Sequence, residues 1–232
     1  MPARNRIKEY KPNCYYHIYN RGVEKREIFL DKQDMAVFLA YLKEYLSPKD
    51  MAYLEMALSD PSSSASEKAN AIKQIRLNNF STEVVLLAYC LMPNHFHLLV
   101  KQNLERSIEK LMRSLSTRYV QYFNHRHQQR VGGLFQDIYK AVEVRSEEQL
   151  LQLSRYIHRN PASKGSTLKD RPEPSSYVNY LGEIRQEWVK SGEILAYFAK
   201  SGTNSYESFV EDEDFDEQML HKVKDLTLED DP

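Results

Sequence analysis

The residues in this chain whose types and spacing could do chemistry are His95 and His97, separated by Phe96 in the stretch Met92-Pro93-Asn94-His95-Phe96-His97-Leu98-Leu99-Val100. Residues 84–89 and 95–100 are short apolar runs broken by Pro93-Asn94, which predicts two neighbouring strands with a tight connection. Side chains alternate along a strand, so both imidazoles point to one side while Phe96 and Leu98 point to the other. Two imidazoles on rigid backbone can hold a divalent metal if a third ligand comes from elsewhere. The same spacing also suits two polar positions facing solvent or a helix, and by itself it does not choose between them.

Positioning such a pair takes a folded core. The chain has 232 residues, of which 41% are apolar, enough for one sizeable core with additions. Nothing approaches the roughly twenty consecutive apolar residues that cross a bilayer, and Met1-Pro2-Ala3-Arg4-Asn5-Arg6 lacks the apolar core of a signal peptide. A cytoplasmic protein with no membrane contact is expected. Cys14 and Cys90 are the only cysteines, far apart in sequence, and read as buried thiols.

A net charge of −1 argues against nucleic acid until its distribution is read. Residues 203–232 hold eleven carboxylates against two lysines, so an acidic tail masks a basic body.

Before the histidine pair, residues 14–19 read as a strand ended by Asn20-Arg21-Gly22, and residues 35–46 as a helix stopped by Ser47-Pro48. Residues 49–80 read as an insertion holding two short helices around the serine run 62–64. After the pair comes a strong amphipathic helix over 107–123, with Ile108, Leu111, Met112, Leu115, Tyr119 and Tyr122 on one face. A basic loop over 124–133 and a strand over 135–144 follow. The order strand, helix, strand, strand, helix, strand predicts an α+β fold. It is the ferredoxin-like split βαβ arrangement, an antiparallel sheet with helices on one face and extra helices toward the C-terminus. A further helix starts at Ser146-Glu147-Glu148 and stops at Asn160-Pro161, with Tyr156 and Asn160 on the same side of its last turn.

A metal held by imidazoles can draw charge from a phosphate, and a tyrosine could then attack the phosphorus. Sixteen tyrosines leave composition unable to choose among them.

The motifs taken together resemble the single-tyrosine HUH transposases of the IS200-like family, REP-associated type. Residues 92–99 resemble the family's strand of histidine, bulky hydrophobe, histidine. Gly132-Gly133-Leu134-Phe135-Gln136-Asp137-Ile138-Tyr139-Lys140 resembles its Gly-x-Leu-Trp-Gln-x-Arg-Phe-Lys segment, with Phe135 in place of Trp and Ile138 in place of Arg. Tyr156-Ile157-His158-Arg159-Asn160-Pro161 resembles its nucleophile helix, Asn20-Arg21-Gly22 the end of its first strand, and Pro174-Ser175-Ser176-Tyr177 its segment beyond the nucleophile.

The resemblance implies a metal-dependent transposase that cleaves and rejoins single-stranded or hairpin, palindromic DNA through a covalent phosphotyrosine. Tyr156 would be its nucleophile, and His95, His97 and Asn160 would bind Mg²⁺ or Mn²⁺. Arg21, Arg113, Arg118, Arg126, Arg130 and Lys140 would meet the DNA, and a homodimer is compatible with it. The implied domains are a transposase domain over 1–182, a helical extension over 183–202 and an acidic mobile tail over 203–232. A transposase-derived DNA-binding or regulatory protein, a related nickase, and a histidine-metal hydrolase acting on another substrate remain alternatives.

Overall fold

The computed structural model describes residues 10–128, 132–160 and 174–212. Four strands, β1 (Cys14–Arg21), β2 (Val84–Met92), β3 (His95–Gln102) and β4 (Lys140–Val144), form one antiparallel sheet in the order β2-β3-β1-β4. With α1 (Lys32–Leu46) after β1 and α4 (Ser107–His127) after β3, this is the expected split βαβ arrangement. No helix among the described residues is long and apolar enough to cross a membrane.

The alternation along β1 sorts the two faces. Tyr16, Ile18 and Asn20 point one way, and Tyr15, His17, Tyr19 and Arg21 the other. In β2 the run Val-Val-Leu-Leu-Ala-Tyr-Cys-Leu-Met is almost wholly buried, as an apolar strand covered on both sides should be, and a bulge between Leu86 and Ala88 resets its alternation. Against the first face lie α1 and α4. The Asp31 carboxylate caps α1 by accepting from the amides of Gln33 and Asp34, and Phe38 and Leu42 then fall on its inward side. Ile108, Leu111, Leu115 and Tyr119 of α4 meet them, with Phe29, Phe38 and Tyr119 in edge and tilted ring contacts and the Tyr119 hydroxyl donating to the Ile28 carbonyl at 2.6 Å.

The second face is covered by α5 (Glu147–Arg159), capped by Ser146, whose Leu150, Leu153 and Ile157 pack on Leu87, Ala88, Cys90, Leu99 and Val144. Three short helices, α6 (Tyr177–Tyr180), α7 (Gly192–Leu195) and α8 (Tyr206–Glu211), complete that layer. So α8 lies within the stretch read as an acidic tail. Its Tyr206 and Val210 are buried, and residues 213–232 are outside the described residues. The open edge of β2 is covered by backbone: Leu91 donates to the Pro174 carbonyl at 3.0 Å and Lys190 to that of Leu86 at 2.8 Å.

Two helices, α2 (Met51–Ser59) and α3 (Ala65–Arg76), occupy the expected insertion and pair with each other, α3 opening on a Ser64–Glu67 capping box. The last strand is shorter than expected. Phe135 makes only an isolated bridge to Gly22, and the ladder resumes at Lys140. Between them the Asn20 side-chain amide donates to the carbonyls of Asp137 and Ile138, at 3.0 and 2.9 Å, in place of ladder bonds. Gly22 is required where β1 ends, since a Cβ there would sit 2.0 Å from the Arg26 carbonyl oxygen.

Candidate active site

On the second face, the register of β1 on β3 sets Tyr19 opposite His97 and Arg21 opposite His95. His17, one pleat along from Tyr19 on the same face, comes beside His97. Their rings are nearly parallel with centroids 5.0 Å apart, and His17 Nε2 lies 2.8 Å from His97 Nδ1. Both are fully buried. His95 sits at the strand entrance, its ring 4.9 Å from that of His97, with Nδ1 2.6 Å from Asn94 Oδ1.

The last turns of α5 cross above these rings. The Tyr156 ring stands at 87° to that of His97 with centroids 5.5 Å apart, and 6.5 Å from that of His17. Asn160 is the C-cap of α5, its amide donating to the Tyr156 carbonyl at 2.8 Å. The spacing of four that put both on one side of the helix brings Asn160 Nδ2 to 3.4 Å from His97 Nε2, and the same side chain hydrogen-bonds His95. His95, His97, Tyr156 and Asn160 are therefore brought together within one chain.

Burial decides the charge of the rings. It pushes His95 down to about 4, partly opposed by the Asn160 hydrogen bond and reinforced by the nearby Arg21 charge. His97 is pushed well below the ordinary histidine range by burial, then by its two histidine neighbours. Neutral imidazoles are the form that ligates metal. Among the described residues no group of three or more His, Cys, Asp or Glu side chains is arranged to hold a metal. A cation here would have two imidazoles and would complete its shell from the Asn160 amide and from water or substrate oxygens, a donor set that hard divalent cations accept.

The expected DNA-binding cations divide between the faces. Arg21 and Lys140 share the histidine face, Arg21 donating from Nε to Gln136 at 2.6 Å and Lys140 lying 6.0 Å from the Tyr19 ring centroid. Arg113, Arg118 and Arg126 belong to α4, across the sheet. Arg113 is exposed and pairs with Glu109 at 2.7 Å; Arg118 pairs with Glu44 at 2.6 Å and lies 3.8 Å over the Tyr41 ring. Arg126 bridges Asp31, at 2.6 Å, and the fully buried Asp34. Arg130 is outside the described residues.

His17 was missed in reading the sequence, and so was the part played by Asn94. The alternation Tyr15, His17, Tyr19 marks His17 as facing the side opposite Tyr16 and Ile18, but only the pairing of β1 with β3 puts it against His97. His158, two residues beyond Tyr156, is fully buried and holds α5 down, Nδ1 on the Tyr206 hydroxyl and Nε2 on that of Ser176, each at 2.7 Å. Arg159 donates to the Val210 and Asp212 carbonyls at 3.1 and 2.6 Å, fastening α5 to the end of α8.

No relative among curated proteins matches this sequence. One solved structure similar to the chain is a REP-associated tyrosine transposase bound to a REP hairpin, with a TM-score of 0.44 and 12% identity, covering 87% of this chain and 96% of that one. The family model described as "Transposase IS200 like" matches residues 64–160, a span that runs from the N-cap of α3 through β2, β3, α4, β4 and α5 to Asn160. That matched span carries both histidines of β3 and the helix bearing Tyr156, and over it the chain is similar to the IS200-like transposase family.

Proposed function

We propose that this protein is a metal-dependent DNA strand transferase of the REP-associated type, acting on single-stranded or hairpin DNA, with Tyr156 as its nucleophile. The observation that carries the reading is the meeting, within one chain, of the Tyr156 ring and Asn160 amide with the neutral imidazoles of His95 and His97. Tyr156, half-buried at the margin of the apolar cluster under α5, thus lies beside the paired histidines of β3.

His95, His97 and Asn160 would hold Mg²⁺ or Mn²⁺, which supplies, when bound, Lewis-acid withdrawal of charge from a phosphate oxygen. The Tyr156 oxygen forms a bond to phosphorus while the bond from phosphorus to the leaving sugar oxygen breaks. The phenol proton passes to solvent and the sugar oxygen gains one, leaving a free hydroxyl and a phosphotyrosine that retains the bond energy for rejoining. A tyrosine ordinarily ionises near about 10, so loss of that proton has to be coupled to attack or helped by nearby positive charge. Arg21 and Lys140, on the same face, are the cations placed to track the scissile strand. Arg118 and Arg126 are committed to Glu44, Asp31 and Asp34 and serve DNA less directly. The transposase domain so proposed is residues 1–182, with 183–202 as its helical extension and an acidic tail over 203–232, of which α8 packs beside α5.

The reading is tested by incubating labelled hairpin oligonucleotides with the protein and Mn²⁺ and resolving products under denaturing conditions. A covalent protein–DNA adduct is expected, absent without metal and absent in Tyr156→Phe. Full adduct yield in Tyr156→Phe overturns the assignment of the nucleophile.

A further inference from the structure

We propose that His17 and Asn94 are positioning residues that determine which ring nitrogen His97 and His95 present to a cation, an inference that rests on the metal reading above. Donors and acceptors around the two rings fix their tautomers. Asn94 Oδ1 can only accept, and it lies 2.6 Å from His95 Nδ1, so that nitrogen carries the single proton of this neutral ring and Nε2 is left to the Asn160 side chain. For His97, the Asn160 Nδ2 group can only donate, and it lies 3.4 Å from Nε2. Nε2 is therefore the acceptor, the proton is on Nδ1, and that proton is donated to His17 Nε2 at 2.8 Å.

Both histidines thus turn Nδ1 back toward the protein and Nε2 toward the Asn160 side chain at the end of α5. Their backing groups differ. An amide oxygen has one role, whereas His17 accepts only while its own proton is on Nδ1. His17 is not a third ligand in this arrangement, because the nitrogen facing His97 is spent on the ring-to-ring hydrogen bond. A hydrogen bond behind a ligating imidazole fixes its tautomer and ring direction, and losing one weakens metal binding by about 10- to 100-fold.

The test uses the full chain and Mn²⁺ alone, without DNA. Affinity is read by titration calorimetry or by the electron paramagnetic resonance signal of free Mn²⁺, and the metal-free tautomer of His97 by ¹⁵N–¹H correlation on ¹⁵N-histidine protein. His17→Phe keeps a ring of similar size and removes the acceptor; Asn94→Leu does the same for His95. Each is expected to weaken Mn²⁺ binding by about 10- to 100-fold. His17→Gln and Asn94→Asp, which restore an acceptor oxygen, should recover most of it. The metal-free protein should show His97 protonated at Nδ1, and His17→Phe should move that population toward Nε2.

Unchanged affinity and an unchanged His97 tautomer in His17→Phe overturn the proposal while leaving the metal reading intact, provided His97→Ala loses Mn²⁺. If His97→Ala binds Mn²⁺ as the parent does, the metal reading itself fails, and the inference falls with it. Should His17→Phe not fold, the Asn94 pair decides the matter, since Asn94 lies in a half-buried turn, and equal affinity of Asn94→Leu and Asn94→Asp would overturn it.

Discussion

The two faces of this sheet are built from the same four strands and do opposite things. Toward α1 and α4 it presents Tyr16, Ile18, Phe96, Leu98 and Val100, closed over by rings and aliphatic side chains, and Arg118 and Arg126 of α4 are drawn into ion pairs with α1 and its N-cap. Toward α5 it presents His17, His97, Tyr19 and Arg21, with Cys90 and Leu99 as the apolar floor. Buried polar groups are costly unless hydrogen-bonded, and on this face the histidines satisfy one another and the α5 C-cap. One face spends its charge on holding two helices together, and the other keeps polar groups neutral and directional beneath a tyrosine. Basic residues counted along a sequence are therefore a poor guide to a binding surface until it is known which are already paired.

The two faces part most clearly at Tyr156. Tyr156→Phe should cut adduct formation by more than about 10³-fold while leaving the unfolding midpoint nearly unchanged, measured by labelled-hairpin gel and by urea titration. On the other face Phe38→Ala should do the reverse. Phe38 is fully buried, and its loss should cost about 3–5 kcal/mol in urea unfolding, with Mn²⁺ affinity of the remaining folded protein unchanged.

Acid should strike the histidine face through its neutrality. An unfolded histidine takes a proton near about 6.5, whereas His95 in the fold waits until about 4, so between these values the unfolded chain binds more protons than the folded one. The stability this confers on the metal-free protein is full above pH 6.5 and is lost as the pH falls toward 4. Replacing His95 by Gln should flatten that part of the stability curve, and a curve of unchanged slope would show the ring is not held neutral.

The cations sharpen the contrast further. Lys140→Ala or Arg21→Ala should reduce the dependence of log affinity for single-stranded DNA on log salt by about 0.7, the slope of one lost phosphate contact. Arg126→Gln should leave the slope alone and lower the unfolding midpoint, because it strips the buried Asp34 of its guanidinium. The smallest effect belongs to Ile138, 71% exposed between Gln136 and Lys140. Ile138→Ala should change stability by less than about 0.5 kcal/mol, whereas Ile138→Arg should steepen the salt slope by about as much as Lys140→Ala relaxes it.

Much of this was legible in the chain, for a local reason. Period-two alternation marks β1 and β3, and a stripe every three or four residues marks α1, α4 and α5, because each pattern reports contacts made by near neighbours. Ser146 and Asp31 act as caps, and Pro93-Asn94 makes the tight turn, within a few residues of where they stand. The strand over 135–144 was overestimated because its first half meets a side chain, Asn20, instead of a ladder, and no local pattern encodes that. The helix α8 was hidden for a similar reason. A stretch rich in carboxylates reads as solvated, yet Tyr206 and Val210 find a pocket on α5.

The sequence by itself determined the order of the four strands and of the long helices α1, α4 and α5, the face shared by His95 and His97, and the turn shared by Tyr156 and Asn160. Only the tertiary structure decided that His17 backs His97, that the end of α5 lies over β3 instead of some other part of the sheet, and that Arg118 and Arg126 are tied to α1. Those facts depend on strand register and on where a helix crosses. Both are set by the summed packing of residues tens to more than a hundred positions apart, which no window of sequence contains.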